Sequence, residues 1–248
     1  EMGNLHSVNK AVELCGGQVK ITSSIQEILA ADKIILPGVG AIGKAKESLQ
    51  KFGIWEILPY LIQQNKPFLG ICLGMQMLFD SSDEGLEPVK GLGIIPGKIK
   101  RFPAHPELKV PHMGWNQIQV VSNHPALKGI ENDSFVYFVH SYYAEPLNAK
   151  DIAVKCQYGI PFTAAVSRGN LFASQFHPEK SQKIGLQIIK NFVKKKEKMT
   201  DPLNKNNVLE SVYNVICARV KERPEKSYVV SLFDKGLEKI LSKVEEES

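Results

Sequence analysis

The chain has 248 residues, of which 43% are hydrophobic and 23% are charged, with a formal net charge of +5. This composition is that of an ordinary globular protein rather than a disordered or fibrous one. The charge is mild and is not concentrated in one basic segment of the main body, so we expect no nucleic-acid partner. The apolar runs are far shorter than the roughly 20 residues that cross a bilayer, so we expect no membrane segment.

The four cysteines, at positions 15, 72, 156 and 217, are widely separated and form no Cys-x-x-Cys pair. This spacing argues against a structural zinc site and against a disulfide framework, and it favours reduced thiols. No basic segment followed by an apolar stretch opens the chain. We therefore expect a cytoplasmic protein with no metal site and no cofactor.

The first part of the sequence alternates between helical and strand patterns. Leu5, Val8 and Val12 recur at helical spacing, and this pattern stops at two glycines. Further helical patterns lie at 25–30, 41–49 and 54–64, and they separate strand-like segments at 19–22, 33–36 and 67–71. The alternation predicts an α/β fold with a mostly parallel central sheet flanked by helices.

The next part of the sequence has strands broken by Pro and Gly. Strand patterns lie at 94–102, 115–121, 135–139 and 171–174, and a helical pattern follows at 183–193. This half of the sheet is predicted to be antiparallel or mixed.

A domain boundary is expected near residue 193. Of the 55 residues at 194–248, 22 are charged, against 35 of the 193 before them. Residues 194–206 are typical of a linker. Residues 207–248 carry two amphipathic helical patterns, which cannot bury both apolar stripes alone. The predicted organisation is a domain at 1–193, a linker and a C-terminal helical appendage.

The segment 67–79 has the form of a nucleophile elbow, in which an apolar strand passes through Gly70-x-Cys72-x-Gly74 into an amphipathic helix. The nucleophile's backbone is strained in such a turn, and the glycines avoid clashes between strand and helix. A helix N-terminus also favours the thiolate. An isolated cysteine is more often a buried structural residue. The flanking glycines favour Cys72 as a nucleophile.

A thiol nucleophile needs a base, and His177 offers one at the end of a predicted strand. Pro178 favours an extended His177, so that residues 177 and 179 project to the same side. Glu179 could then orient the imidazole, while the second ring nitrogen takes the Cys72 proton. Most isolated His-x-Glu pairs are surface or capping residues, so the assignment depends on the elbow.

The segment 36–40 reads Leu-Pro-Gly-Val-Gly, a glycine-rich turn after a strand. Its backbone N–H groups could face a developing oxyanion, with the Leu73 N–H as a second donor. Most such turns only connect a strand to a helix, and that alternative stays open.

Five motifs, LPGVG, GICLGMQMLF, KVPHMGWN, YFVHSY and QFHPEKS, together resemble the class I (triad type) glutamine amidotransferases. KVPHMGWN narrows the resemblance to the glutaminase subunits of imidazole glycerol phosphate synthase, over about residues 3–193. The resemblance implies that L-glutamine is hydrolysed through a thioester on Cys72. It also implies that the ammonia passes to a (β/α)8-barrel cyclase partner in histidine biosynthesis.

The resemblance also assigns roles to individual positions. It implies a catalytic triad of Cys72, His177 and Glu179 and an oxyanion hole formed by the amides of Val39 and Leu73. It implies a glutamine site formed by Gly38, Gly40 and Gln76. It also implies a partner interface formed by Asn4, Trp115, Tyr137 and Lys180. A lone aromatic is more often a core residue, which is the alternative for Trp115 and Tyr137. His112 and His140 lie in the matched motifs, and we expect them to be structural.

The two ends of the chain depart from this family. Residues 206–248 resemble the N-terminal part of phosphoribosyl-ATP pyrophosphatase, an enzyme that acts earlier in the same pathway. The glutamates that hold Mg2+ in that enzyme begin only near Glu246, so we expect no pyrophosphatase activity. Amidotransferases of this type start with a buried apolar strand, whereas this chain starts at Glu1-Met2-Gly3-Asn4. We expect truncation at both ends.

Two other functions remain open at this point. A paralogous amidotransferase would feed ammonia to a different synthase, such as one that aminates a sugar. A non-catalytic binding module would keep only a docking surface for a barrel protein, but the intact set of Cys72, His177 and Glu179 disfavours it.

Overall fold

The structure, a computed structural model, describes residues 5–103 and 108–194. The helices are α1 (Leu5–Leu14), α2 (Ile25–Ala30), α3 (Ile42–Lys51), α4 (Ile54–Gln63), α5 (Leu73–Gln76) and α6 (Gln182–Val193). The strands are β1 (Ile34–Gly38), β2 (Phe68–Cys72), β3 (Phe79–Ser82), β4 (Val89–Lys90), β5 (Ile95–Arg101), β6 (His112–Val120), β7 (Ser134–His140), β8 (Tyr142–Pro146), β9 (Ile152–Tyr158), β10 (Ile160–Arg168) and β11 (Leu171–Ser174).

Within the described ranges the strands form one sheet with the order β1-β2-β11-β10-β8-β5-β3-β4, while β9 joins β6 and β7 to β10. Strands β1, β2 and β11 run parallel, as do β3 and β5. The remaining pairs are antiparallel. The predicted α/β fold is confirmed, but the sheet is mixed rather than mostly parallel, because no α-helix of the described ranges separates the strands from β5 to β11.

Helices cover the parallel part of the sheet on two faces. Helices α1 and α6 pack into one buried apolar cluster, and α3 and α4 into another. Neighbouring residues of β2 divide between the two clusters, with Leu69 in the first and Phe68 in the second. Every residue of β2 is buried, as expected of a strand that is covered on both faces. The end of β2, where Cys72 lies, is therefore held from both sides.

Two predicted elements differ from the structure. Residues 19–22 form no strand, because a strand needs a hydrogen-bonded neighbour and no described strand pairs with this segment. The helix after Cys72 is the short α5, and its four residues are all buried rather than amphipathic. The chain leaves this helix at once to form β3, which pairs with β4 and β5. Among the described helices, none has the length and apolar character needed to cross a membrane.

Candidate active site

Cys72 lies at the sharp turn between β2 and α5. Its backbone angles are φ 53° and ψ −106°, a conformation that residues with a side chain rarely adopt. Such strain persists only where the surrounding structure enforces it, and it concentrates at functional sites. Cys72 is 8% exposed, so it lies at the edge of the buried core.

The two glycines beside Cys72 are required by close packing. A Cβ atom on Gly74 would lie 1.8 Å from the carbonyl oxygen of Leu36. A Cβ atom on Gly70 would lie 2.9 Å from the Cβ atom of Ala173 and 2.9 Å from the Gly74 oxygen. Only glycine lets strand and helix approach this closely, which is the steric reason given by the sequence for the elbow.

The glycine-rich turn after β1 lies beside the elbow. Strands β1 and β2 are parallel with Gly38 opposite Cys72, so Val39 and Leu73 follow side by side. A Cβ atom on Gly38 would lie 3.0 Å from the Leu73 Cβ atom. Val39, Gly40 and Leu73 line the same pocket as Cys72, whereas Gly38 packs against Leu73 and is not among the residues that line it.

His177 and Glu179 form a buried pair next to this turn. The distance from His177 Nδ1 to Glu179 Oε1 is 2.8 Å, and both side chains are at most 2% exposed. His177 is extended, as predicted, but Pro178–Lys180 forms a 3-10 turn rather than continued extended chain. That turn brings the carboxylate against the imidazole. Nε2, the other ring nitrogen of His177, is buried and has no hydrogen-bond partner among the described residues.

Opposing effects set the protonation of His177. Burial by itself lowers the pKa of the imidazole, because it disfavours the charged form. Interactions with the Cys72 sulfur and the Glu179 carboxylate outweigh burial and raise the pKa to about 9. The imidazole is therefore charged near neutral pH, and it lies between a sulfur and a carboxylate that can share this charge.

Cys72 and His177 line one pocket of about 380 Å³. This volume lies within the usual range for small-molecule sites. The other lining residues are Val39, Gly40, Leu73, Gln76, Glu84, Pro111, Val139, His140, Ser141 and Tyr142. Of the predicted glutamine contacts, Gly40 and Gln76 thus face the pocket.

Glu84 is a pocket residue that no sequence motif indicated. Its Oε2 accepts a hydrogen bond of 2.7 Å from the backbone N–H of Ile42, at the start of α3. This contact holds a carboxylate at the pocket wall, and the helix N-terminus favours its negative charge. The sequence carries no signal for this role, because a single Asp-Glu pair in a loop is usually solvated.

His112 and His140 form a buried pair, with His112 Nδ1 3.0 Å from His140 Nε2. His140 Nδ1 lies 2.7 Å from the carbonyl oxygen of Tyr142. Because a carbonyl only accepts, His140 carries its proton on Nδ1 and accepts from His112 at Nε2. Burial lowers the pKa of His112 to about 4 and that of His140 to about 3. Both histidines are neutral at pH 7, and they support the pocket wall structurally.

Comparison with known families identifies the family of this chain. The family model described as glutamine amidotransferase class-I matches residues 2–196. The chain belongs to the class I glutamine amidotransferase family.

Curated relatives of this amidotransferase include two proteins named imidazole glycerol phosphate synthase subunit HisH. The protein of Thermosynechococcus vestitus is 49% identical over 195 residues, which are 78% of this chain and 92% of the relative. The protein of Methanocaldococcus jannaschii is 50% identical over 191 residues, which are 77% of this chain and 94% of the relative.

Solved structures share the amidotransferase fold. One, described as a glutamine amidotransferase, has a TM-score of 0.59 at 17% identity and covers 77% of this chain and 95% of its own. The glutaminase domain of Trypanosoma brucei CTPS has a TM-score of 0.51 at 15% identity and covers 79% of this chain and 90% of its own. At these identities the likeness concerns the fold alone.

Three of the four predicted interface residues of the amidotransferase lie together on one surface. Trp115 and Tyr137 are opposite each other on β6 and β7, with ring centroids 6.0 Å apart. Trp115 is 45% exposed, so the alternative of a core aromatic is wrong for this residue. The Lys180 Nζ lies 5.9 Å from the centre of the Tyr137 ring. Asn4 lies outside the described residues.

This surface is apolar over two strands. Met113 is 63% exposed and Phe135 is 53% exposed. Alternation along β6 and β7 places them on the same side as Trp115 and Tyr137. We call these four residues, Met113, Trp115, Phe135 and Tyr137, the aromatic face. Contiguous exposed apolar groups of this kind mark interaction surfaces.

Proposed function

We propose that this chain is the glutaminase subunit of imidazole glycerol phosphate synthase and hydrolyses L-glutamine to glutamate and ammonia. The observation that carries the proposal is the strained Cys72 beside the buried pair of His177 and Glu179. The 49% identity to a curated subunit of that synthase supports the choice of reaction. A cysteine glutaminase needs a nucleophilic sulfur, a base and oxyanion donors in one pocket. The presence of Cys72, His177, Val39 and Leu73 in the lining of one pocket supports the proposal.

Cys72 acts as the nucleophile. The pKa of His177 is raised to about 9, so its imidazolium can stabilise the negative charge of the sulfur during the attack. The sulfur attacks the carboxamide carbon of glutamine and forms a tetrahedral intermediate. His177 Nε2 then gives its proton to the amide nitrogen, which leaves as ammonia, and Cys72 retains a glutamyl thioester.

Water completes the reaction. Neutral His177 takes a proton from water, and the hydroxide attacks the thioester carbon. Glutamate leaves and the Cys72 thiolate is regenerated. Glu179 holds the proton on His177 Nδ1 throughout and stabilises the imidazolium, as the carboxylate of a triad does.

The oxyanion of each tetrahedral intermediate is stabilised by backbone N–H groups of Val39 and Leu73. Their side-by-side order after β1 and β2 supports this assignment. Preorganised donors of this kind typically contribute about 3 kcal/mol to the transition state. Gly38 acts indirectly, because its small size lets the turn approach Leu73.

Glutamine is an amino acid with a positive ammonium group and a negative carboxylate. We assign the ammonium group to the Glu84 carboxylate, which is the acidic side chain of the pocket wall. Gly40 and Gln76 line the same wall and are proposed to contact the rest of the substrate. This arrangement orients the carboxamide towards Cys72.

The aromatic face and Lys180 are proposed to bind a (β/α)8-barrel cyclase, which uses the ammonia to make imidazole glycerol phosphate and aminoimidazole carboxamide ribotide. The exposure of Trp115 and the order of these residues on β6 and β7 support this assignment. Asn4 is proposed to lie at the same interface. We place this assembly in the cytoplasm, where a nucleophilic thiol stays reduced.

The domain organisation is also a proposal. We propose that the amidotransferase domain spans residues 1–193, and the end of the family match at residue 196 supports this boundary. Residues 194–206 would act as a linker. Residues 207–248, which lie outside the described ranges, would form a helical appendage without pyrophosphatase activity.

Substitution of the nucleophile tests the function. We expect Cys72→Ala, assembled with the cyclase, to lose imidazole glycerol phosphate synthesis from glutamine and to keep synthesis from ammonium salt. Cys156→Ala is the matched control, since Cys156 is buried elsewhere in the core and burial raises its pKa to about 12. It should keep both activities. Loss of both activities in Cys72→Ala, or of neither, contradicts the proposal.

A further inference from the structure

A buried amide that is not part of the proposed triad lies against the nucleophile. The Gln175 side chain is completely buried, and its Nε2 lies 3.5 Å from Cys72 Sγ. Its Oε1 lies 3.0 Å from Gln76 Nε2, and Gln76 Nε2 is also 3.3 Å from the carbonyl oxygen of Tyr142. No motif assigned a role to Gln175.

These contacts determine which end of the Gln175 amide faces Cys72. The Tyr142 carbonyl can only accept, so Gln76 must present its nitrogen to it. Both hydrogens of that nitrogen are then used, one for Tyr142 and one for the Gln175 oxygen. Gln175 is therefore held with its oxygen towards Gln76 and its N–H towards the sulfur. A flipped Gln175 would set two N–H groups against each other.

The chain geometry explains how one segment supplies two groups to the thiol. Gln175 and His177 are two residues apart in the bend that follows β11. The Gln175 amide contacts the Cys72 sulfur, and His177 lines the same pocket as Cys72. Phe176, between them, is completely buried and points into the core. The Gln175 backbone N–H donates to the Ala164 oxygen at 2.8 Å, which fixes the position of the side chain.

We propose that Gln175 is a further catalytic residue, which donates a hydrogen bond to the Cys72 sulfur and stabilises the thiolate, and that Gln76 positions its amide. The inference deepens the proposed glutaminase function and rests on it for its catalytic meaning. A hydrogen bond to a charged acceptor is stronger than one to a neutral acceptor. The donor therefore favours the thiolate over the thiol. It also assists the thiolate as leaving group when the thioester is hydrolysed.

The test follows the pH dependence of Cys72 alkylation by iodoacetamide, with the modified peptide quantified by mass spectrometry. Glutamine and the cyclase are not needed. Gln175→Met removes the donor at similar volume, and Gln175→Glu keeps an acceptor for Gln76 but offers no amide N–H to the sulfur. We expect the midpoint of the rate profile to rise by about one pH unit in Gln175→Met, which corresponds to a tenfold loss of thiolate at low pH. In Gln175→Glu we expect the midpoint to rise further.

The control is Ser174→Ala. Ser174 is buried at the end of β11, next to Gln175, and its hydroxyl donates to the Phe176 oxygen at 2.9 Å. Loss of the hydroxyl therefore loosens the segment without removing a contact to the sulfur. Its midpoint should stay at the wild-type value. An unchanged midpoint in either Gln175 variant, with the fold verified by circular dichroism, overturns the inference. A rise in Gln175→Glu alone also overturns it, since the added charge then explains the effect.

Glutamate release from glutamine, measured on the same proteins with the cyclase present, separates this inference from the proposed function. If wild type releases glutamate and the Gln175 variants keep the wild-type alkylation profile, the function stands and the role of Gln175 fails. If the profile shifts while wild type releases no glutamate, the thiolate contact stands and the glutaminase function fails.

Discussion

The backbone N–H of His177 donates a hydrogen bond of 3.0 Å to the carbonyl oxygen of Tyr137. The Ser181 hydroxyl closes the same link, because it accepts from the Tyr137 N–H at 3.0 Å and donates to the His177 oxygen at 2.7 Å. His177, the proposed base, is thus hydrogen-bonded to β7 directly and through Ser181, and β7 carries part of the aromatic face. Displacement of that strand by a bound partner would be transmitted to the imidazole.

Removal of the Ser181 hydroxyl should weaken the connection between His177 and β7. Ser181→Ala removes the acceptor of the Tyr137 N–H, at a cost of about 1–3 kcal/mol, while the His177 oxygen keeps its hydrogen bond from the Lys180 N–H. We expect kcat for glutamine hydrolysis in the cyclase complex to fall about tenfold, with KM unchanged because Ser181 does not line the pocket. Steady-state kinetics measures both constants. The control is Ser134→Ala, which removes an exposed hydroxyl at the start of β7 and should keep wild-type kinetics. A change confined to KM in Ser181→Ala would contradict the connection between Ser181 and the base.

The elbow should be intolerant of a single methyl group. Gly74→Ala places a Cβ atom 1.8 Å from the Leu36 oxygen, so β1 or α5 must shift. We expect a loss of about 3 kcal/mol or more in the free energy of unfolding, together with the loss of glutaminase activity.

Gly43→Ala is the matched control for this prediction. Gly43 lies inside α3, and nothing lies within 4 Å of a Cβ atom there. The free energy of unfolding of Gly43→Ala should rise by about 0.5–1 kcal/mol, because alanine favours the helix. Urea unfolding of both variants compares the two effects, and similar stabilities would contradict the steric explanation.

Acid should destabilise the fold through the pair of His112 and His140. Their folded pKa values, about 4 and about 3, lie below the ordinary value of 6.5. Their contribution to the free energy of unfolding is therefore complete above about pH 6.5 and is lost as pH falls towards 3. Each group lowers this free energy by at most about 1.4 kcal/mol per pH unit. Urea midpoints between pH 7 and pH 4 measure this slope.

His112→Phe isolates one of the two groups. Phenylalanine keeps the stacking on Phe138 and Tyr158 but removes the donor to His140, so stability at pH 7 should fall. The slope of stability against pH should become shallower, because one titrating group is gone. An unchanged slope would contradict a contribution of His112 to the acid transition.

Glu179→Gln should lower the pKa of His177 from about 9 towards its ordinary value. The amide oxygen can still accept from Nδ1, but the negative charge that favours the imidazolium is lost. His177 has a raised pKa, so its stabilising contribution is present below pH 6.5 and is lost as pH rises to about 9; the variant should lack it. NMR titration of the ring protons gives the pKa directly.

The control for Glu179→Gln is Glu145→Gln, which removes a surface carboxylate paired with Lys100. It should leave the His177 titration unchanged. An equal titration in wild type and in Glu179→Gln would show that Glu179 does not set the charge of the base.

Local features of the site could be predicted from sequence because their causes are local. The glycines beside Cys72 prevent clashes within one turn, and the His-x-Glu spacing brings two side chains together through a single 3-10 turn. Most helices and six of the eleven described strands were predicted for the same reason. The segment 19–22 was predicted wrongly, since its β propensity is local whereas pairing requires a neighbour from elsewhere in the chain.

The sequence by itself determined the nucleophile candidate, its elbow and the base that follows a strand, because strain, spacing and helix dipole act within a few residues. Only the tertiary structure decided which polar groups face the sulfur and the pocket. Gln175 meets Cys72 across 103 positions, and Glu84 reaches the start of α3 across 42. These contacts depend on the order of β1, β2 and β11 and on burial between two helical layers, which no local pattern encodes.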